Sequence, residues 1–267
     1  MADTRSPITY SCYYSCNRSG EQFVPEHVLS YQISGTLTVN NGDKDFIFNE
    51  GDFRFVRRNQ LLKFIKQPPP DGVFKSVSIY LDQVALQNFS RKYGQNAGHS
   101  KTTIADPVIQ LSGDSFLKAF MDSLIPYIEG DQPADTQLEI LKQCEAIMLL
   151  MRAHPELKDI LFDFSEPGKI DLEAFMNKNF HFNVHLNRFA YLTGRSLATF
   201  KRDFEHIFHT SPSRWLQQRR LQEAYFMLKE QGKTASDVYL DVGFEDLSHF
   251  SFAFKKAYGV PPSKIAG

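Results

Sequence analysis

Two stretches of this chain follow one template fifty residues apart, and that repetition limits its fold more than any other feature. Phe200, Phe204, Phe208, Pro212 and Ser213 in GRSLATFKRDFEHIFHTSPSR (194–214) recur as Phe250, Phe254, Tyr258, Pro262 and Ser263 in GFEDLSHFSFAFKKAYGVPPSK (243–264). One supersecondary unit is written twice. Upstream the offset falls to forty-nine, because Gly194 stands six residues before its first Phe and Gly243 seven before its own. The second turn must therefore hold one extra residue.

In the first copy the pattern predicts a helix through Leu186, Phe189 and Ala190, a tight turn at Thr193 and Gly194, and a second helix capped by Ser196. Leu197, Phe200, Phe204 and Phe208 fall three or four apart and are expected to face the core, which leaves Ala198, Lys201, Arg202 and Glu205 outward. The second copy predicts a helix from Thr234 through Val238 to Val242, a turn at Gly243, and a helix burying Phe250, Phe254 and Tyr258. Ser248, Ser251, Phe252 and Lys255 then face outward. Between the copies, SPSRWLQQRRLQEAYFMLKE predicts one long helix whose inner stripe runs through Leu216, Arg220 with Leu221, Ala224 and Leu228. A major groove admits one helix whose exposed side chains meet base edges, and each copy offers such a helix.

These two motifs and the helix between them resemble the AraC/XylS transcription regulators over roughly residues 170–265. The resemblance implies that two recognition helices enter successive major-groove segments on one face of the DNA, ~34 Å apart. Carried over residue by residue, base-reading positions fall on Ala198, Lys201 and Arg202 in the first copy and on Leu247, Ser248, Ser251 and Phe252 in the second. Thr199, His249, Lys255 and Lys256 are expected to touch phosphates or support the core, and Gly194, Gly243, Pro212 and Pro262 to shape the turns. The chain departs from the family pattern in four places. Tyr239 replaces the small residue seen at Ala190 in the first copy, which predicts different or wider helix packing in the second. Phe252 stands where Arg is common. His209 takes a glycine's place after the aromatic residue, a source of strain if the backbone there is left-handed. The ending SKIAG lacks the usual aromatic and Arg residues.

The front half reads differently. From about residue 8 to 105, VLSYQISGTLTV, KDFIFNEGDFRFV, LLKFIK and VFKSVSIYL are β-rich runs separated by NNGD, NEGD and PPPDG, which predicts a small antiparallel barrel or sandwich. EHVLSYQISGTLTVNNGDKDFIFNEGDFRFVRRNQ is similar to the cupin-like sensor domains that precede such DNA-binding modules. Between Asp114 and Phe162 the apolar period becomes helical. Phe116, Leu117, Phe120, Met121, Leu124, Ile125 and Ile128 mark one helix, and Leu138, Leu141, Cys144, Met148 and Met151 another, antiparallel to it after EGDQPAD. Leu138, Leu141 and Met148 form a seam that could mediate dimerisation or cover the barrel. DFSEPGKI supplies the joint. The expected fold class is thus α+β: a cupin-like β-barrel with a helical pair over 1–163, a linker at 164–169, and an all-α domain with two helix-turn-helix units over 170–267.

Charge and cysteines narrow the function. Residues 170–267 hold 13 Lys and Arg against 10 Asp and Glu, net +3, while 1–169 hold 17 against 21, net −4. Cys12, Cys16 and Cys144 are an odd number without metal-ligand spacing and read as free thiols. A cupin metal site needs a pair of His with a carboxylate, and this region offers His27 alone, so neither metal nor other cofactor is expected. No catalytic arrangement stands out. With no apolar run of membrane length and no secretion signal, the sequence predicts a cytoplasmic protein with no membrane partner. The expected function is sequence-specific binding of double-stranded DNA as a homodimeric transcription regulator, controlled by a small-molecule effector in the front domain, with RNA polymerase as partner if it activates. Control by a protein partner or by dimerisation is the alternative, and a cupin-type enzyme with a helical tail the distant one.

Overall fold

A computed structural model describes residues 6–18, 22–98, 105–129 and 135–265. The chain divides into two compact units, whose bodies are Val24–Ser165 and the residues from Glu166 onward.

Ten strands occur among the described residues: β1 Ile8–Tyr13, β2 Phe23–Val24, β3 His27–Ser34, β4 Thr36–Asn40, β5 Asp45–Phe48, β6 Phe53–Val56, β7 Gln60–Leu61, β8 Lys63–Gln67, β9 Phe74–Leu81 and β10 Val108–Leu111. One antiparallel sheet has the order β1-β9-β3-β6-β10 and a second the order β5-β4-β8. The run VLSYQISGTLTV is two strands rather than one. Gly35 separates them with φ of 80°, and a Cβ there would lie 2.6 Å from the Gln67 carbonyl oxygen, so only glycine permits the bend. Leu37, Val39, Phe48, Val56 and Phe74 share one buried cluster that draws on both sheets.

A further buried cluster joins the larger sheet to helices. The first of these, α1 Gln83–Tyr93, corrects the all-strand expectation for this region. Asp82 caps its first turn by accepting from the Ala85 N–H at 2.7 Å, and Gly94 ends it in a left-handed conformation with φ of 64°. The expected pair of helices is also more broken than its periodicity implies. Helices α2 Ser115–Asp122 and α3 Pro126–Glu129 divide the first stripe, and α4 Thr136–Ala153 is followed by the short α5 Lys158–Leu161. Pro126 cannot donate to a preceding turn and stands at the first position of α3, where no such bond is needed. Leu117, Phe120, Met121 and Leu124 are buried as expected, but Phe116 is exposed, with the Arg152 guanidinium over its ring at 4.1 Å. On α4 the core-facing stripe is Gln143, Ala146, Ile147 and Leu150, while Leu138, Leu141 and Met148 face solvent.

The second unit is helical: α6 Leu172–Asn179, α7 Leu186–Leu192, α8 Leu197–Phe208, α9 Pro212–Glu230, α10 Ala235–Asp241 and α11 Leu247–Tyr258. Phe189, Phe200 and Phe204 are buried beneath the first pair, α7 and α8. Val238, Phe250 and Phe254 are buried beneath the second, α10 and α11. The long helix α9 gives Leu221, Ala224 and Leu228 to the second cluster. Trp215, near its start, packs tilted against Phe208 with ring centroids 4.7 Å apart and edge-on to Phe204 at 5.6 Å. One helix thus joins both aromatic cores. No described helix is long and apolar enough to cross a membrane.

Candidate nucleic-acid interface

The two helix pairs share a turn bond by bond. In the first, the N–H groups of Thr193, Gly194 and Arg195 donate to the carbonyls of Phe189, Tyr191 and Ala190. In the second, those of Val242, Gly243 and Phe244 donate to Val238, Leu240 and Tyr239. Both glycines have positive φ, 65° and 95°. Ser196 then caps α8 by accepting from the Thr199 N–H, and Asp246 caps α11 by accepting from the His249 N–H. Glu245 is the extra residue before the second cap. Tyr239 is accommodated without change to this turn, because its ring lies partly exposed at the rim of the cluster.

Each second helix presents one exposed face. Ala198, Lys201, Arg202 and Glu205 are exposed on α8, with Thr199 half-buried and its hydroxyl 3.0 Å from Ser196 Oγ. On α11, Ser248, His249, Lys255 and Lys256 are exposed, Ser251 is half-buried, and Phe252 is 70% exposed. Leu197 departs from expectation. It is 39% exposed, close to its counterpart Leu247 at 36%, because at the first position of each helix the side chain overhangs the core's edge. Tyr258 is half-buried rather than buried.

Arg220, expected on the inner stripe of α9, faces inward and has a role that the stripe does not reveal. Its guanidinium is largely buried and donates three hydrogen bonds to carbonyls: Nε to Phe180 at 2.8 Å, Nη2 to Phe182 at 2.8 Å and Nη1 to Gly243 at 2.9 Å. Burial pulls its pKa down to about 10, against the pull of the Glu245 charge, so it stays charged at neutral pH. A Cβ on Gly243 would sit 2.7 Å from the His181 carbonyl oxygen and 2.9 Å from Arg220 Nε. The second turn is therefore pinned from α9. The first is pinned by different means: a Cβ on Gly194 would lie 2.4 Å from the Gly168 carbonyl carbon, and Arg195 donates to Thr193 and Ile170 carbonyls at 2.7 and 3.0 Å.

In the front unit His27 is a core residue, stacked on Phe55 at 5.2 Å, with Nδ1 accepting from the Arg58 N–H at 3.1 Å. Burial, with the Arg58 and Arg57 charges adding to it, lowers its pKa to about 3 and keeps it neutral. Among the described residues no group of His, Cys, Asp and Glu has the arrangement of a metal site.

A helical unit with two such turns, two exposed second helices and a rigid connection between them is that of a double helix-turn-helix DNA-binding protein. Residues 189–266 match the helix-turn-helix domain model, and residues 27–160 match that of the ExsA N-terminal regulatory domain. The chain is 26% identical to the HTH-type transcriptional regulator ExsA of Pseudomonas aeruginosa, over 97% of this chain and 92% of that protein. It is 24% identical to the virulence regulon transcriptional activator VirF of Yersinia enterocolitica, over 87% and 86%. ToxT from Vibrio cholerae aligns over 97% of both chains with a TM-score of 0.43 and 10% identity. The chain belongs to the AraC/XylS family of transcription regulators, and it is a DNA-binding regulator rather than an enzyme.

Proposed function

We propose that this regulator selects its DNA sites chiefly through α8 and holds them chiefly through α11. The observation that carries this reading is the difference at two matched positions: exposed Lys201 and Arg202 on α8 against half-buried Ser251 and exposed Phe252 on α11. Arg can donate two hydrogen bonds to guanine O6 and N7, a contact worth about 1–3 kcal/mol of discrimination. Phe cannot donate, and its partner in the groove is a thymine methyl, which selects weakly. Ala198, Leu247 and Ser248 complete the base-facing sets, while Thr199, His249, Lys255 and Lys256 take phosphates.

The front unit, on this reading, controls that binding. A small effector bound within it is the first route, supported by its match to a regulatory domain. Contact with a protein, a second copy included, is the other, supported by the solvent-facing Leu138, Leu141 and Met148. Sedimentation of the full chain across a concentration series separates monomer from dimer. RNA polymerase becomes a partner if the protein activates.

Selection of bound sequences from a random DNA pool tests the division of labour. Arg202→Ala should relax preference in one half of the site by roughly tenfold or more, whereas Phe252→Ala should lower affinity with preference kept. Sharp preference lost only on changing Phe252 would reverse the assignment.

A further inference from the structure

Asp203 directly follows the arginine to which base reading has just been assigned, and it does not point away into solvent. Its Oδ2 accepts from Arg195 Nε at 3.1 Å, and its Oδ1 accepts from Arg202 Nη2 at 3.3 Å. Adjacent helix residues do not face each other, so a contact between exposed neighbours is normally loose. Here one end is fixed. The Arg195 side chain is only 7% exposed, and its Nη1 is held by the Thr193 and Ile170 carbonyls. Lys169 adds a cation 3.9 Å from Oδ2. Arg202, by contrast, is 77% exposed and would otherwise sample many rotamers.

We propose that Asp203, anchored by Arg195, is a positioning residue that sets the direction of the Arg202 guanidinium and thereby sharpens base preference in the first unit. The inference rests on the reading of Arg202 as a base contact. It goes beyond it by assigning specificity to a residue that itself faces no base. A carboxylate on a DNA-facing helix opposes phosphate, so its presence calls for an offsetting gain, and fixing a fork-shaped donor reduces the ordering cost of a bidentate contact. Asp203's pKa is lowered, first by the Arg195 hydrogen bond and also by Arg202 and Lys169, so the acceptor is charged at neutral pH. The second unit has no equivalent: Phe244 follows its glycine, Ala253 occupies the place of Asp203, and Phe252 that of Arg202. Because Arg195 also bonds the Ile170 carbonyl, the segment entering the helical unit belongs to the same brace.

The test is sequence selection with the full-length chain, made for Arg202→Ala, Asp203→Ala, Asp203→Asn and the double Ala variant, with thermal midpoints recorded for each. Asp203→Ala should relax preference at the same base position as Arg202→Ala, on the order of tenfold, as expected within one coupled network. Its affinity for unrelated DNA should hold or rise, since an anion is lost. Asp203→Asn keeps an acceptor oxygen in place and should relax preference about threefold; it carries the test should the Ala variant fail to fold. The double variant should match Arg202→Ala. Should Asp203→Ala, or Asp203→Asn in its place, raise affinity for all DNA with preference unchanged, Asp203 is only a charge and the inference is overturned, while Arg202 keeps its role. Should Arg202→Ala relax no position, the base-reading assignment falls and the inference falls with it.

Discussion

The two helix-turn-helix units have one backbone and two surfaces. Their turns use the same hydrogen bonds, and their second helices are capped in the same way and bury phenylalanines at the same spacing. Outside the core they diverge. From the fifth to the tenth position α8 reads Lys201, Arg202, Asp203, Phe204, Glu205 and His206, whose formal charges cancel with His neutral. The same stretch of α11 reads Ser251, Phe252, Ala253, Phe254, Lys255 and Lys256, with two positive charges and none negative. The same fold thus occurs twice with different exposed faces. A neutral helix with a braced arginine suits discrimination. A cationic helix with an exposed aromatic ring suits retention.

The largest effects should come from breaking the shared part. Alanine at Gly194 combines a positive φ with overlap against the Gly168 and Lys169 backbone, which cannot swing aside, and should cost about 3 kcal/mol. Gly243→Ala meets the His181 carbonyl and an arginine tied to three carbonyls, and should cost about 2 kcal/mol. Gly259 has nothing within 4 Å of its absent Cβ, so Gly259→Ala should cost only about 1 kcal/mol, for the backbone alone. Urea unfolding followed by the fluorescence of Trp215, the single tryptophan of the chain, measures all three. Equal costs for Gly194 and Gly259 would mean the chain around the first turn yields readily.

That ranking rests on neighbours far away in sequence, and they mark where reading the sequence stops. The repeat, the extra turn residue, the Ser196 cap and the buried phenylalanines are local features with fixed spacing, so they are legible from the residues alone. The role of Arg220 is not. Its partners lie 40, 38 and 23 residues away, and no local rule brings them together. A cation in an otherwise apolar stripe was the available signal, since such a residue needs buried acceptors. The Arg195–Asp203 brace was hidden for the same reason, with Ile170 lying 25 residues from Arg195. Helix α1 was legible in principle: Asp82 and Gly94 bound a helical stretch, but it lies among strand-rich runs that dominate the local pattern.

An intermediate effect should separate the surfaces. Replacing Lys255 and Lys256 together by Gln should reduce the slope of log affinity against log salt by about 1.8, because each phosphate neutralised on duplex DNA contributes about 0.9. Affinity near 0.1 M salt should drop roughly tenfold or more with base preference retained. In the first unit Lys201→Gln should reduce the slope by at most about 0.9 and should alter preference as well. Filter binding over a salt series measures both. If the lysine pair leaves the slope untouched, α11 does not grip phosphates and the contrast with α8 is lost.

The smallest effect isolates a single backbone conformation that the two units share with different residues. His209 and Gly259 occupy the same place after α8 and α11. Both are left-handed, with φ of 53° and 78°, and the N–H of each closes its helix on a carbonyl four residues back. An L-residue in that conformation costs roughly 1–2 kcal/mol, whereas glycine forfeits roughly 0.5–1 kcal/mol of chain entropy on folding. The strain outweighs the entropy, so His209→Gly should stabilise the helical unit by about 0.5–1 kcal/mol, the reverse of the change expected for Gly259→Ala. For a unit of this size that raises the thermal midpoint by roughly 2–8 °C. Trp215 packs against Phe208, the neighbour of His209, so its fluorescence reports the transition directly. A lower midpoint for His209→Gly would show that the imidazole makes contacts outweighing the backbone strain, and the two helix ends would then differ in what holds them as well as in the residue that occupies them.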